Sequence, residues 1–295
     1  DTYTSNLAKG TATNLSIARH YLAATTVGDY AIFGGGHDGS SYVSTVDTYT
    51  SNLAKGTATN LSIARYSLAA TTVGNYALFA GGYGSNSTYY STVDAYNKSL
   101  TRSTPTELSV ARERISATTV GDYALFGGGD DSASGFLATV DAYNSNLVRS
   151  TPSDLFVGRC FLAATTVGNY ALFGGGRMQV SNGVSGCTAV DVYGINLTHS
   201  NGTSLSQGRE SLAATTVGDY ALFGGGETPT IAGDNDSVVD YYKLTYKDQL
   251  FTVYKGSKYK FQNMTAEATA TSNVETLSIP APVTGYIKFK NTTIS

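Results

Sequence analysis

The residues with usable chemistry fall at two fixed places in a recurring pattern. The first place is a pair that follows each of five arginines: His20-Tyr21, Tyr66-Ser67, Glu113-Arg114, Cys160-Phe161 and Glu210-Ser211. The second is a stretch after a run of glycines: "HDGSSYVS", "YGSNSTYYS", "DDSASGFLA", "RMQVSNGVSGC" and "ETPTIAGDNDS". Among them Tyr21, Tyr42, Tyr66, Tyr83, Tyr89, Tyr90, Phe136 and Phe161 offer ring faces for stacking. His20, His37, Arg114, Asp130, Asp131, Arg177 and Glu210 offer hydrogen bonds and charge. Such a mixture of aromatic, hydroxyl and small residues suits recognition carried on loops. Drift of unconstrained surface loops is the competing explanation. The preceding arginines, Arg19, Arg65, Arg112, Arg159 and Arg209, can be read as a ring gripping an acidic ligand. The favoured reading is that they lock neighbouring elements together, with Asp47, Asp94, Asp141, Asp191 and Asp240 as candidate partners.

Catalytic arrangements are sparse. The three histidines, His20, His37 and His199, occupy different places in the pattern, which argues against a three-histidine metal site. Neither His-Glu-x-x-His nor Gly-x-Ser-x-Gly occurs. The "GGG" runs lack the following Lys-Ser/Thr and helix of a phosphate loop. The paired carboxylates Asp130-Asp131 and Asp234-Asp236 read as solvated acidic loops rather than a Ca²⁺ or glycosidase site. No cofactor, no metal and no enzymatic activity are expected. A glycan-processing enzyme stays as the weakest alternative, to be favoured by a tight carboxylate cluster. Cys160 and Cys187, both in the fourth repeat, invite a disulfide closing roughly 27 residues, worth about 3–4 kcal/mol in the chain-entropy account. Two separate thiols are the other reading.

Composition narrows the partners. Lys and Arg number 19 against 22 Asp and Glu, and 14% of the 295 residues are charged. A basic stripe for neutralising phosphates is missing, so nucleic acid is not an expected partner. No run approaches the ~18 apolar residues of a membrane helix, so membrane insertion is not expected. The Gly-, Thr-, Ser- and Tyr-rich, Trp-free chain favours strands and turns. Its hydroxyl-covered character suits the cell exterior, a cell surface or a virion. Asn-x-Ser/Thr occurs at Asn14, Asn60, Asn86, Asn97, Asn196, Asn201, Asn235, Asn263 and Asn291, meaningful only where the host glycosylates.

The elements that position these residues come from a tandem repeat. The arginines at 19, 65, 112, 159 and 209 step by 46, 47, 47 and 50 residues. Each is followed by a string such as "LAATTVGDYALFGGG", a variable loop, and then "TVDAY" or a close variant. Four short strands per repeat are predicted: A ("LAATTV"), B ("YALFG"), C ("TVDAY") and a polar D. Gly28-Asp29 and its four counterparts fit a two-residue A–B turn with glycine at positive φ. The glycine run ending B allows close approach of a neighbouring strand or ring. In an A–B–C–D meander the loops before A and after B share one face, so both variable sets converge on one rim.

The pattern "R-x-x-L…GDYALFGGG…VDAY" resembles the kelch repeat over about residues 1–243. The resemblance implies an all-β, kelch-like β-propeller. The Trp of the kelch pattern is replaced by Leu53, Leu100, Leu147 and Leu197, implying thinner outer packing. Residues 1–245 are assigned to propeller repeats, with 1–18 a partial unit and full units starting near 19, 65, 112, 159 and 209. Residues 1–13 read as strands C and D of a split unit. Residues 277–289, "LSIPAPVTGYIKF", can supply its A–B pair and close six blades. The alternative is five blades plus a β-rich appendage at 246–295, in which "LFTVYKGSKYKFQN" forms a hairpin at Gly256-Ser257. The function expected is a non-catalytic binding module for a surface glycan or protein. A structural propeller within an oligomer or larger particle is the rival. Near-identical arrays of this composition resemble those of bacterial surface proteins and phage tails.

Overall fold

The computed structural model describes residues 2–3, 9–131, 133–228 and 235–244, and the backbone of four later strands. The chain divides into two compact bodies, Asp1–Tyr242 and Lys243–Ser295. Asn263, Asn291, Asp234 and the proposed turn at Gly256-Ser257 lie outside the described residues.

The first body is an all-β propeller. Repeat one forms an antiparallel sheet of Ala23–Val27, Tyr30–Gly34, Val46–Thr50 and Lys55–Thr57, in the order A–B–C–D. Repeats two, three and four build the same four-stranded sheet, and repeat five contributes three described strands, Ala213–Val217, Tyr220–Gly224 and Val239–Lys243. Each A–B turn joins a pair such as Val27↔Tyr30 through two residues. Only its glycine has a positive φ (53–55°), as a type II′ turn requires.

The A strands lie side by side around an axis, and their threonines explain why. The hydroxyls of Thr25–Thr72, Thr71–Thr119, Thr118–Thr166 and Thr165–Thr216 meet at 2.8 Å. Thr72, Thr119, Thr166 and Thr216 also donate to the carbonyls of Thr26, Thr72, Thr119 and Thr166 in the preceding sheet. Hydroxyls thus satisfy the crowded centre while Ala keeps it narrow.

Between sheets, aromatic rings lie on glycines. A Cβ on Gly34 would fall 3.0 Å from Phe79, and one on Gly127 3.0 Å from Phe173. The next glycine, at φ +73° in repeat one, brings the chain so close that a Cβ would be 2.8 Å from the Arg65 carbonyl. That carbonyl accepts the Gly36 N–H at 2.9 Å, and the latch recurs at Gly82–Arg112, Gly129–Arg159 and Gly176–Arg209.

The repeat arginines are interior struts. Their side chains are buried, and each Nη2 lies 2.6–2.9 Å from the Asp of strand C. Nη2 also donates to the carbonyl of the B-strand Phe, as Arg65 does to Phe79 at 3.1 Å. The acid-gripping ring considered for Arg19, Arg65, Arg112, Arg159 and Arg209 is therefore corrected: these guanidinium groups face no solvent. The expected leucines at 53, 100, 147 and 197 sit in the C–D turns at φ 59–64°, each donating its N–H to the residue three back. Leu100, Leu147 and Leu197 pack on the core from there.

Thr2↔Gly10 and Tyr3↔Lys9 repeat the C–D register of Thr48↔Gly56 and Tyr49↔Lys55, so the half-unit at the N-terminus is present. Of residues 277–289, expected to supply the closing A–B pair, 280–283 and 288–289 lie outside the described residues. Val274–Ile279 pairs with Gln249–Tyr254 over six positions, and Thr284–Ile287 pairs with Tyr259–Gln262. The strands flanking Gly256-Ser257 thus each take a longer-range partner.

Candidate functional site

Both variable sets do meet on one face, and backbone hydrogen bonding makes them meet. The first residue of each pair exchanges hydrogen bonds with the first residue after the glycines. These bridges join His20↔His37, Tyr66↔Tyr83, Glu113↔Asp130, Cys160↔Arg177 and Glu210↔Glu227. Three of the post-glycine loops then fold into short hairpins, such as Tyr83–Gly84 with Thr88–Tyr89.

The second residue of each pair lines the mouth of the central channel. Tyr21, Ser67, Arg114, Phe161 and Ser211 are joined in a chain: each N–H from Ser67 onward donates to the carbonyl of the previous one, at 3.0–3.3 Å. All five have left-handed backbones, φ 52–55°, which costs energy in a residue with a Cβ. Together with Leu22, Leu68, Ile115, Leu162 and Leu212 they surround a bowl of about 360 Å³. The floor is aliphatic and the wall is two aromatic rings, two hydroxyls and one guanidinium.

The rim has two sectors. Over repeats one and two, His20, Tyr21, His37, Tyr42, Tyr66, Tyr83 and Tyr89 form a continuous set of ring contacts. Its centroids lie 4.9–6.3 Å apart, mostly edge to face. Over repeats three to five the side chains are charged. Arg114 lies 3.0 Å from Asp130, 3.4 Å from Glu113 and 4.8 Å above the Phe161 ring. Arg177 is paired with Glu210 and stands 5.5 Å from the same ring. Burial pushes the Glu113 and Asp130 carboxyls up, and Arg114 pulls them part of the way back.

Other predicted residues fall elsewhere. Asp131 spends its Oδ1 on the N–H groups of Ala133 and Ser134, so it shapes its own loop. Tyr90 packs against Gly84, and Phe136 is half-buried with its carbonyl close against Gly158. The disulfide is corrected: Cys160 and Cys187 are separate buried thiols. Cys160 faces Asp130 and Arg114, and burial raises its thiol to about 12. The Cys187 sulfur instead accepts from the Ala189 N–H at 3.4 Å. His199 is far from the other two histidines in role, stacked 4.5 Å from Tyr193 and hydrogen-bonded to Asp191 at 2.7 Å. Among the described residues no group of three or more His, Cys, Asp or Glu is placed to hold a metal. Ser67, Ser211, Glu113 and Glu227 belong to the two variable sets but were given no individual role by sequence. Their register with Tyr21, Phe161 and His37 was the signal that identifies them.

This geometry defines an all-β propeller with a side-chain-lined mouth on one face. No known family model matches the sequence, and no curated protein matches it. Among solved structures the chain is similar to YjhT, with a TM-score of 0.62 over 77% of this chain and 82% of that one, at 14% identity. That likeness is one of fold.

Proposed function

We propose that this chain is a non-catalytic recognition propeller of kelch type that binds a surface glycan through the mouth ringed by Tyr21, Ser67, Arg114, Phe161 and Ser211. One observation carries the reading: four kinds of side chain occupy the same strained backbone position in five repeats, held by an unbroken chain of hydrogen bonds, around a bowl of about 360 Å³. Backbone strain that recurs where side chains differ is what a positioned binding surface displays. Aromatic faces beside hydroxyl donors suit the C–H faces and hydroxyls of a sugar. The carboxylates nearest the mouth, Glu113 and Asp130, are buried at 2% and 7% exposure, which supports a non-catalytic role. A setting outside the cell or on a virion fits the hydroxyl-rich surface.

The test is a glycan array with the purified chain beside a variant carrying Tyr21→Ala, Tyr66→Ala and Phe161→Ala. Binding of a glycan class by the wild type and its loss in the variant is the expected outcome. Absence of binding to any glycan, with the protein folded, would overturn the reading.

The second reading is an assembly propeller. It is favoured by apolar groups open on the outermost sheets: Val217, Val239 and Tyr241 are 64%, 56% and 65% exposed. Phe33 and Tyr49 on the first sheet likewise line an open groove with residues 12–15.

A further inference from the structure

Resting on the glycan reading, we propose that Glu113 and Asp130 set the charge selectivity of the mouth. By holding Arg114 in ion pairs they close it to acidic saccharides and leave it to neutral ones.

Arg114 is the single charged residue lining the bowl. A guanidinium free at such a place would draw carboxylates and sulfates strongly, because its fork matches their geometry. Here the fork is taken. Nη1 lies 3.0 Å from Asp130 Oδ2 and Nη2 3.4 Å from Glu113 Oε1. The plane is also packed over Phe161, leaving edge N–H groups for a hydroxyl. The other rim arginine, Arg177, is held by Glu210. Two guanidinium groups thus face three carboxyls, and the Glu227 charge acts on Arg177 as well. An incoming anion meets no uncompensated cation and a surplus of carboxyl groups.

Besides Arg114, the two carboxyls meet only small neutral donors, the Ser67 hydroxyl at Glu113 and the Cys160 thiol at Asp130. Glu113 Oε2 and Asp130 Oδ1 are buried with no hydrogen-bond partner. Each acid thus leaves one buried oxygen unpartnered and turns the other to Arg114. The opposite wall, Tyr21 and its ring contacts, is aromatic and matches the face of an uncharged hexose.

The experiment titrates the full chain with lactose, 3′-sialyllactose and inorganic sulfate. It compares wild type with the double variant Glu113→Gln, Asp130→Asn and with that variant carrying Arg114→Met. The wild type should take the sialylated sugar at least tenfold more weakly than the neutral one. The double variant should gain at least tenfold for sialyllactose and for sulfate, and Arg114→Met should abolish that gain. Equal affinity of the wild type for both sugars, or no gain in the double variant, overturns the proposal. If the wild type binds no saccharide at all, the glycan reading falls, and sulfate uptake by the double variant still decides this inference.

Acidification offers a route without substitution. The groups facing the pair are Arg114, Asp131, the Cys160 thiol, Ser67, Tyr66 and Tyr89. Protonating Glu113 and Asp130 releases Arg114, so wild-type sulfate binding should rise as pH falls into the raised carboxyl range. A flat profile in a protein that remains folded counts against the proposal.

Discussion

At the scale of single residues, buried charge carries the largest penalties. Arg112 and Asp141 meet at 2.9 Å with both side chains at 0% exposure. Asp141 also accepts the Ser109 N–H and hydroxyl. Asp141→Ala leaves that guanidinium without its counter-charge, and we expect a loss of about 3–5 kcal/mol in urea unfolding. A loss under about 1 kcal/mol would contradict the strut role. Glu113 and Asp130 give the opposite sign. Their carboxyls are raised by burial, so the folded state holds protons that the unfolded chain has released. Stability from these groups is present below the ordinary carboxylate range and is lost as pH rises through the raised range. Melting temperature against pH should therefore fall more steeply in wild type than in Glu113→Gln, Asp130→Asn. Parallel curves would rule this out.

At the scale of elements, the glycine latch is the sharpest constraint. Gly128 has φ +70°, and a Cβ there would sit 2.5 Å from the Arg159 carbonyl in the next sheet. Gly128→Ala should cost about 2–3 kcal/mol, from left-handed backbone strain and the clash together. Gly135→Ala is the comparison: its φ is also positive, but nothing lies within 4 Å. It should cost about 1–2 kcal/mol from the backbone alone, and equal losses would show that close approach is not the issue. Strands, turns and the converging rim were legible because each repeat states them again. Val27-Gly28-Asp29-Tyr30 encodes its turn locally, and the spacing from Arg19 to Phe33 is kept in every copy. The pairing of each arginine with the Asp of strand C was legible, but its complete burial was not. Burial depends on how close neighbouring sheets come, which Gly34 and Phe79 decide across 45 residues. The pairing of Gln249–Tyr254 with Val274–Ile279 escaped for a similar reason, since local turn chemistry pointed to a nearer partner.

At the scale of the whole molecule, the repeated interfaces make their own unfinished surfaces visible. Phe79, Phe126, Phe173 and Phe223 are fully buried, whereas Phe33 on the first sheet is half-buried. On the fifth sheet Val217, Val239 and Tyr241 are open. Exposed apolar groups clustered in this way promote association. Sedimentation of the purified chain should report concentration-dependent oligomers, weakened by Val217→Ser, Val239→Ser and Tyr241→Ser together. A monomer at all concentrations would weigh against the assembly reading.

The chain of backbone hydrogen bonds from Tyr21 to Ser211 makes no demand on side-chain identity. Around it the amino-acid sequence is nearly the same in each repeat, which suits exchange of whole repeats between copies. Every such exchange would reorder or replace one letter at the mouth while leaving the frame that displays it intact. The fold would then work as movable type, letting a lineage change what it grips by copying rather than by remodelling.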